Sequence, residues 1–316
     1  MQARQVQVTD DDAGQRLDNF LLRELKGVPR TAVYRLLRTG QVRVNGGRAK
    51  PDRRLETGET VRIPPVRIDD APRPHAAPAG GPSAAQRALI DASILHEDKD
   101  VLVLDKPGGV AVHGGSGISF GVIEVLRALR PDATLELAHR LDRDTSGILI
   151  LAKRRPALRK LHASFREGAV EKRYLTLLGG RWEHGSVSVA AALKRNQIRG
   201  GERVVTVDSD DGKPSLSHFH PLEVYRDGSF MEVRIETGRT HQIRVHAAHL
   251  GHPVAGDDKY GDHEVNKRFR PLGLKRMFLH ASSLSLPHPN GDVLSVSAPL
   301  PDELKAVLDA LDRTPR

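Results

Sequence analysis

The sequence has 316 residues, a formal net charge of +9 and no cysteine. Its length predicts about two domains with cores of their own, and the missing cysteines exclude disulfides, cysteine–zinc sites and thiol nucleophiles. Because no apolar run reaches the roughly 18 residues of a membrane span, and the acidic N-terminus lacks the layout of a signal peptide, we expect a soluble cytoplasmic protein with a polyanionic partner.

Most of the positive charge lies in one region near the N-terminus. Residues 16–54 hold eleven Lys or Arg residues against three acidic ones, a balance of +8, so the rest of the chain contributes only +1. A basic stretch can be no more than a solvated surface. Its concentration in one small module nevertheless predicts contact with a phosphate backbone.

Two short helices and a small sheet are predicted in this module. Apolar residues recur at helical spacing over 17–25 and 33–37, and Thr31 is expected to cap the second helix. The pair Asn45-Gly46 marks a hairpin, and residues 60–63 form a further strand. These elements predict a compact RNA-binding module. Its candidate RNA contacts are arginines of the second helix and the hairpin: Arg30, Arg35, Arg38 and Arg43.

The composition changes at about residue 66. From there to residue 91 the chain is rich in Pro, Ala, Gly and Ser and shows no apolar period, which predicts a flexible linker. The predicted organisation is therefore an RNA-binding domain over residues 1–65, a linker over 66–91 and a second domain over 92–316.

The second domain is predicted to have an α+β fold. Its strands are expected at residues 101–105, 147–152, 170–178, 216–224, 230–236, 277–286 and 293–296. Its helices are expected at residues 122–129, 156–166, 240–250 and 301–311. Strands outnumber helices, and several follow one another without a crossover helix. We therefore predict a mixed, mostly antiparallel sheet with flanking helices.

The densest polar cluster is the run His139-Arg140-Leu141-Asp142-Arg143-Asp144-Thr145-Ser146-Gly147, directly before an apolar strand. A polar loop at such a place is usually a solvated turn. Charges near a core need partners, however, so the cluster also predicts a prearranged polar site. Asp142 is the candidate nucleophile or base, because arginines close to a carboxylate favour its ionised form. Asp144 is expected to bond the backbone of the turn.

Residues 235–246 predict a strand, a glycine turn and the start of a helix. Arg239 and His241 stand beside N–H groups at the predicted helix start, a combination that suits an anion such as phosphate. Arg244, one turn into the helix, could reach a carboxylate. It could equally form a surface ion pair of little energetic weight.

Tyr174 follows Lys172 and Arg173 in a predicted strand. A core tyrosine whose hydroxyl finds a partner is the ordinary interpretation. The two preceding cations also allow another, in which the ring stacks on a nucleobase while the cations hold its phosphates.

A metal site has to be weighed at His246, His249 and His252, which are spaced three apart. Asp257 or Asp258 could complete a ligand set. Against this, no glutamate stands between paired histidines as it does on the helix of a zinc hydrolase. We expect no metal.

Three segments resemble, in order, the signature regions of the large bacterial RNA pseudouridine synthase family: residues 139–147, 171–175 and 237–246. The resemblance covers nearly all of residues 92–316, and residues 111–117 add to it. Residues 29–31 and 40–46 resemble the small RNA-binding domain shared with ribosomal protein S4. The resemblance implies a pseudouridine synthase fold joined to an S4-like domain.

The resemblance also implies a reaction. Specific uridines of 23S ribosomal RNA, free or in a precursor of the large subunit, would become pseudouridine without any cofactor. The target nucleotide would be flipped out of its helix, since a stacked base hides its glycosidic bond. By motif matching, Asp142 would attack C1′ or take the 2′ proton, and Arg244 would pair with it. Tyr174 would stack on the base and could help to remove the C5 proton, and Arg140 would fill the vacated space.

Two other functions stay open on the residues alone. A non-catalytic RNA-binding factor for ribosome assembly would need only the basic module, and a metal-dependent hydrolase acting on RNA would need the histidines. We expect a monomer, because no exposed apolar segment is evident. The sequence does not identify the modified uridines or choose between the two routes for Asp142.

Overall fold

The computed structural model describes residues 3–9, 12–25, 28–66, 81–114, 120–199 and 202–311. The chain divides into two compact units, Met1–Gly81 and Pro82–Arg316. Residues 67–80, the larger part of the predicted linker, lie outside the described residues, as do Gly115, Ser116 and Gly117 of the segment 111–117. Within the described parts of the chain, no helix has both the length and the apolar character to cross a membrane.

The first unit contains both predicted helices and the predicted hairpin. Its elements are strand β1 (Arg4–Gln7), helices α1 (Leu17–Glu24) and α2 (Arg30–Arg38), and strands β2 (Arg43–Val44) and β3 (Thr60–Ile63). The strands form an antiparallel sheet in the order β1-β3-β2. Asn45 and Gly46 both have positive φ, as a tight hairpin turn requires.

The predicted cap of the second helix is wrong. Helix α2 begins at Arg30, its N-cap is Pro29, and no side chain bonds the helix start. Proline fixes φ near the value found here, with an extended ψ of 142° ahead of the helix. Thr31 therefore lies inside the first turn, where its hydroxyl has no capping role.

The second unit is larger. Its helices are α3 (Ala84–Ala92), α4 (Val122–Leu129), α5 (Arg155–Glu167), α6 (Gln242–His249), α7 (His263–Phe269) and α8 (Asp302–Asp309), with a 3-10 turn at Arg270–Leu272. Its strands are β4 (Ile94–Glu97), β5 (Val101–Lys106), β6 (Glu136–Leu137), β7 (Ser146–Ala152), β8 (Glu171–Gly179), β9 (Val187–Ala190), β10 (Leu193–Arg199), β11 (Glu202–Val207), β12 (Leu216–Val224), β13 (Gly228–Ile235), β14 (Leu279–Pro287) and β15 (Val293–Ser297).

Residues 84–91, which were predicted to belong to the flexible linker, instead form most of helix α3. Its start is a capping box: the Ser83 hydroxyl accepts from Gln86 N at 3.1 Å, and Gln86 Oε1 accepts from Ser83 N at 2.9 Å. Two otherwise unbonded N–H groups are satisfied in this way. The Ala-rich composition concealed a helix because alanine is common in linkers and is also the best helix former.

The central sheet has ten strands in the order β4-β5-β7-β14-β8-β13-β12-β9, with β15 on β14 and β6 on β7. Among the described strands, β7 and β14 pair in parallel and the other neighbours are antiparallel. This arrangement confirms the predicted mixed α+β fold. Strand β7 is buried on both faces, so its apolar residues run continuously rather than alternating with polar ones.

The register of the sheet brings distant motifs to one level. Gly147 in β7 stands opposite Ala281 in β14, Ala281 stands opposite Tyr174 in β8, and Tyr174 stands opposite Val233 in β13. A Cβ at Gly147 would lie 2.2 Å from the Ala281 carbonyl oxygen, and its φ is +105°. Only glycine therefore lets β7 approach β14 here. As a result, Tyr174 lies close to the start of β7 and to the end of β13.

Candidate active site

The loop of residues 138–145 connects β6 to β7 and carries Asp142. At its first end, Ile150 N donates to His139 Nε2 at 3.1 Å. The imidazole packs against Phe165 with 5.0 Å between ring centroids. Burial, together with the charge of Lys172, lowers the pKa of His139 to about 4. The ring is therefore neutral near pH 7 and free to accept the backbone hydrogen bond.

We expect His139 to make the fold sensitive to acid. The imidazole has its ordinary pKa of 6.5 in the unfolded chain and about 4 in the folded one, so only the unfolded state takes up the proton between these values. The free energy of unfolding should fall by roughly 3 kcal/mol as the pH drops through this window, at 1.36 kcal/mol per unit of pKa. His139→Gln can still accept from Ile150 N but does not titrate, so its free energy of unfolding should fall less over the same pH range. Urea unfolding of both proteins at pH 6.5 and pH 4 measures the difference, and equal losses would contradict the prediction.

The second end of the loop is fixed by a buried chain of hydrogen bonds. The Ser146 hydroxyl donates to His280 Nδ1 at 3.0 Å and accepts from Arg276 Nη2 at 3.1 Å. His280 Nε2 in turn donates to the Ala298 carbonyl at 3.2 Å. Burial lowers the pKa of His280, which keeps this ring neutral and able to accept from Ser146.

Lys106 fixes the middle of the loop from inside. Its side chain is fully buried, and Nζ donates to the carbonyls of Pro107, Val110 and Arg143 at 2.8, 2.8 and 2.9 Å. Three acceptors match the three N–H groups of an ammonium. Burial lowers the pKa of Lys106 to about 7.

The role predicted for Asp144 is therefore wrong. It was expected to bond the backbone of the turn, but its carboxylate pairs with Arg143 Nε at 3.1 Å, and both side chains are exposed. Lys106 supplies the backbone contact from the buried side of the loop, where Asp144 does not reach.

Arg244 joins two carboxylates. Its Nη1 donates to Asp142 Oδ2 at 3.0 Å, while Nε and Nη2 donate to Asp257 Oδ2 and Oδ1 at 2.7 and 2.8 Å. Asp257 is fully buried, and Asp142 keeps 29% of its side chain exposed. Burial alone would lower the pKa of Arg244, but the bonds and charges of Asp257 and Asp142 outweigh it and raise that pKa. The guanidinium is thus a permanent cation. Its inner side is bonded to the buried Asp257, and its outer nitrogen is bonded to the partly exposed Asp142.

His241 stands on the other side of Asp142. The Tyr260 hydroxyl accepts from Val205 N at 2.9 Å and is hydrogen-bonded to His241 Nδ1 at 2.7 Å. His241 Nε2 faces Asp142 Oδ2 at 3.8 Å. Burial lowers the pKa of His241, and the opposing charge of Asp142 does not restore it. The Tyr260 ring also lies 4.9 Å from the Arg244 guanidinium carbon, where a cation–π contact is favourable.

The anion site predicted at the helix start is partly occupied by the protein itself. His241, in the left-handed region at φ 54°, is the N-cap, so α6 begins two residues later than predicted. Arg239 N donates to the Gln242 side-chain oxygen at 3.0 Å, and Arg239 Nε donates to the Pro214 carbonyl. The backbone N–H of Arg239 is therefore not available to a ligand, whereas the residue as a whole is exposed.

Tyr174 lies beside Asp142 in a cavity of about 80 Å³ that Arg140, Arg239 and Arg244 also line. The ring is half-buried, and within the described chain no group bonds its hydroxyl. Burial raises the pKa of Tyr174, and the nearby charge of Asp142 raises it further. The phenol is therefore protonated at neutral pH.

Arg140 is exposed and stands between two cavities. It lines the 80 Å³ cavity and a larger one of about 1050 Å³ that also reaches Asp142. Within the described residues its side chain has no ion-pair partner. The structure thus places six predicted site residues around one site: Arg140, Asp142, Tyr174, Arg239, His241 and Arg244.

The four remaining predicted residues lie in the first unit. Arg30, Arg35 and Arg38 are exposed on helix α2, and Arg43 is half-buried in β2. The apolar side of α2 is buried at Val33, Leu36 and Leu37, so the three arginines of this helix belong to its solvent side.

Two of the three histidines considered as metal ligands, His246 and His252, have other partners. His246 Nδ1 is bonded to Ser217 Oγ at 2.9 Å and Nε2 donates to the Ala191 carbonyl at 3.0 Å. His252 Nδ1 donates to the Gly179 carbonyl at 2.9 Å, and Asp257 holds Arg244. In the part of the chain that the structure describes, no group of three or more His, Asp or Glu side chains is placed to hold a metal ion.

Comparisons with known proteins agree with this geometry. Residues 100–249 match the RNA pseudouridylate synthase family and residues 15–61 match the S4 domain. The ribosomal large subunit pseudouridine synthase C of Pasteurella multocida (strain Pm70) is 51% identical over 96% of this chain and 92% of its own length. The protein of that name from Escherichia coli (strain K12) is 51% identical over 97% and 96%.

A solved structure extends the similarity to the fold. Human RNA Pseudouridylate Synthase Domain Containing 1 is 31% identical, with a TM-score of 0.59 over 70% of this chain and 88% of that one. With half of the residues identical to curated relatives over nearly the whole length, the chain belongs to the RNA pseudouridylate synthase family.

Proposed function

We propose that this protein converts specific uridines of 23S ribosomal RNA to pseudouridine, as a cytoplasmic monomer acting on the free RNA or on a precursor of the large subunit. The RNA of the large ribosomal subunit is proposed as the substrate because the 51% identical relatives are named ribosomal large subunit pseudouridine synthase C. The observation that carries the proposal is the meeting of three distant segments around one small cavity, with Asp142, Tyr174 and Arg244 on its wall.

Asp142 is proposed to start the reaction. Arg244 Nη1 donates to one carboxylate oxygen at 3.0 Å, and this charge-assisted hydrogen bond fixes the direction of the carboxylate. The carboxylate either attacks C1′ or takes the 2′ proton, and in both routes N1 leaves with the electron pair of the glycosidic bond. The freed uracil turns in the cavity and C5 bonds to C1′; the Asp142–C1′ ester bond breaks at this point in the first route, and C2′ regains its proton in the second. The C5 proton then departs and N1 gains a proton. Product and substrate are isomers, so no co-reactant is needed.

Tyr174 is proposed to stack on the uracil while it turns. A ring on one wall of the cavity offers a face to any base orientation, and such stacking is typically worth about 1–3 kcal/mol per base. Its raised pKa disfavours a phenolate. We therefore favour stacking over direct removal of the C5 proton by this hydroxyl.

The target nucleotide has to leave its helix to reach Asp142, and unstacking costs a few kcal/mol. Arg140, exposed at the rim of both cavities, is proposed to occupy the vacated place. Arg239 and His241 are proposed to contact the everted nucleotide. Arg30, Arg35, Arg38 and Arg43 of the S4 domain are proposed to bind phosphates elsewhere on the ribosomal RNA, which fixes position more than sequence.

The test compares ribosomal RNA from cells with and without this protein by pseudouridine mapping. We expect specific 23S positions to lose pseudouridine without the protein, and purified protein to restore them on unmodified transcript in excess EDTA. Identical maps in the two strains would refute the proposed function. Restoration that stops on adding EDTA would instead favour a metal-dependent reaction.

A further inference from the structure

The 1050 Å³ cavity beside Asp142 has a wall with no assigned role. This wall, here called the α7 wall, comprises residues 256–277 and includes helix α7 and the 3-10 turn that follows it. Seven Lys or Arg residues and four Asp residues line the cavity, an excess of three positive charges. The excess lies in a cavity that Asp142 also lines.

Two cations of this wall line the cavity and have no partner within the described residues. Arg270 and Lys275 are both exposed and both line the cavity. Among the described residues, neither side chain has a hydrogen bond or an ion pair. Three other cations that line the cavity are engaged: Arg244 with Asp142 and Asp257, Arg143 with Asp144, and Arg276 with Glu303.

The wall is fixed relative to the catalytic carboxylate. The Asn266 side chain accepts from Gly256 N at 2.8 Å and donates to the Asp257 carbonyl at 3.0 Å. Asp257 in turn holds Arg244, which holds Asp142. A Cβ at Gly261 would lie 2.0 Å from the Asp257 carbonyl oxygen, so this turn packs without spare room.

The two free cations stand next to buried anchors. Phe269 and Leu274 belong to one apolar cluster under the wall. Arg270 directly follows the first and Lys275 directly follows the second. Their backbone positions are therefore set by the core, while their charged ends reach solvent. Fixed cations cost less entropy on binding than cations of a loop that must first become ordered.

We propose that Arg270 and Lys275 bind backbone phosphates of the RNA strand that flanks the everted uridine, as a second RNA-binding surface in addition to the S4 domain. The inference rests on the proposed function, because it takes that substrate as the ligand. Phosphate is the partner favoured by charge and by place: both cations are unpaired, and the cavity that they line opens onto Asp142. They carry no base-reading role, so they act on affinity for any sequence.

The experiment measures binding and turnover of a 23S transcript by the full-length Arg270→Ala and Lys275→Ala variants over a range of salt. Each substitution to alanine should weaken RNA binding several-fold at physiological salt. Each should also reduce the slope of log affinity against log salt by about 0.7 to 0.9, the contribution of one phosphate contact. Lys275→Arg, which keeps the charge, should restore both quantities.

Lys267→Ala is the matched control, since Lys267 is exposed on helix α7 of the same wall but does not line the cavity. It should leave affinity and salt slope unchanged. If Arg270→Ala and Lys275→Ala behave like this control while the wild-type protein makes pseudouridine, the inference fails and the proposed function stands. If the wild-type protein makes none, the proposed function itself fails.

Discussion

Replacing Asp142 with asparagine is expected to abolish pseudouridine formation while the RNA is still bound. The amide has nearly the same size and can still accept the hydrogen bond from Arg244 Nη1. It carries no charge, however, and can serve neither as a nucleophile toward C1′ nor as a base for the 2′ proton. We expect single-turnover product formation to fall by roughly 10⁴-fold or more, the effect typical of a residue that acts in the bond-breaking step.

Asp144→Asn provides the matched control for this measurement. Asp144 lies two residues further along the same loop, is exposed, and pairs with Arg143 at the surface. The two substitutions make the same chemical change, so a general effect of loop charge would appear in both. We expect Asp144→Asn to keep product formation within a few-fold of wild type. Substantial activity in Asp142→Asn, or an inactive Asp144→Asn, would overturn the assignment of Asp142.

The strands that carry the site were predictable because each is a local pattern. Residues 147–152 form a continuous apolar run, as expected for a strand buried on both faces, and β8, β12 and β13 showed strand-like runs of their own. The insertion of β14 between β7 and β8 was not predictable from such runs. It depends on pairings between residues more than 100 positions apart, such as His280 with Ser146. The insertion of β14 sets the register that places Tyr174 beside the catalytic loop.

Three strands of the second unit were not predicted, and the reason is different. Strands β9, β10 and β11 are short or rich in charged residues, as in Lys194 and Arg195, and such sequences resemble exposed loops. Their strand conformation is stabilised by neighbours, β9 by β12, and the β10–β11 pair by a small apolar cluster with Val245 of α6. Tertiary contacts of this kind override local preference.

The candidate site shows the same division. Asp142, Tyr174 and Arg244 could be selected because motif order and residue chemistry agree on them. Lys106 and Tyr260 could not, because their importance comes from what they touch: a loop carbonyl in one case and His241 in the other. Asp257 was considered as a metal ligand. Its carboxylate is instead saturated by Arg244 and two backbone N–H groups, a partner set that only the folded chain reveals.

Asp257→Asn is expected to destabilise the protein and to reduce its activity together. The amide oxygen can still accept from the backbone N–H groups of Lys259 and Tyr260, so the turn keeps its bonds. Arg244 loses the fully buried one of its two compensating charges, in a site where only 11% of its side chain is exposed. Removing one member of a buried ion pair typically costs about 3–5 kcal/mol. Urea unfolding should show a loss of that size, and turnover should fall because Arg244 no longer holds Asp142 in place.

A double variant separates these two effects. In Asp257→Asn with Arg244→Met, neither buried charge is left, so we expect unfolding free energy to recover part of what each single change costs, because the coupling belongs to the pair. Turnover should stay low, since no guanidinium remains to orient Asp142. A double variant as unstable as the sum of its parents would argue against a coupled pair, and recovered turnover would argue that Arg244 acts only through stability. The single and double variants together thus test whether the buried Asp257 carboxylate, which is costly to bury, serves to position the more exposed carboxylate of Asp142 through Arg244.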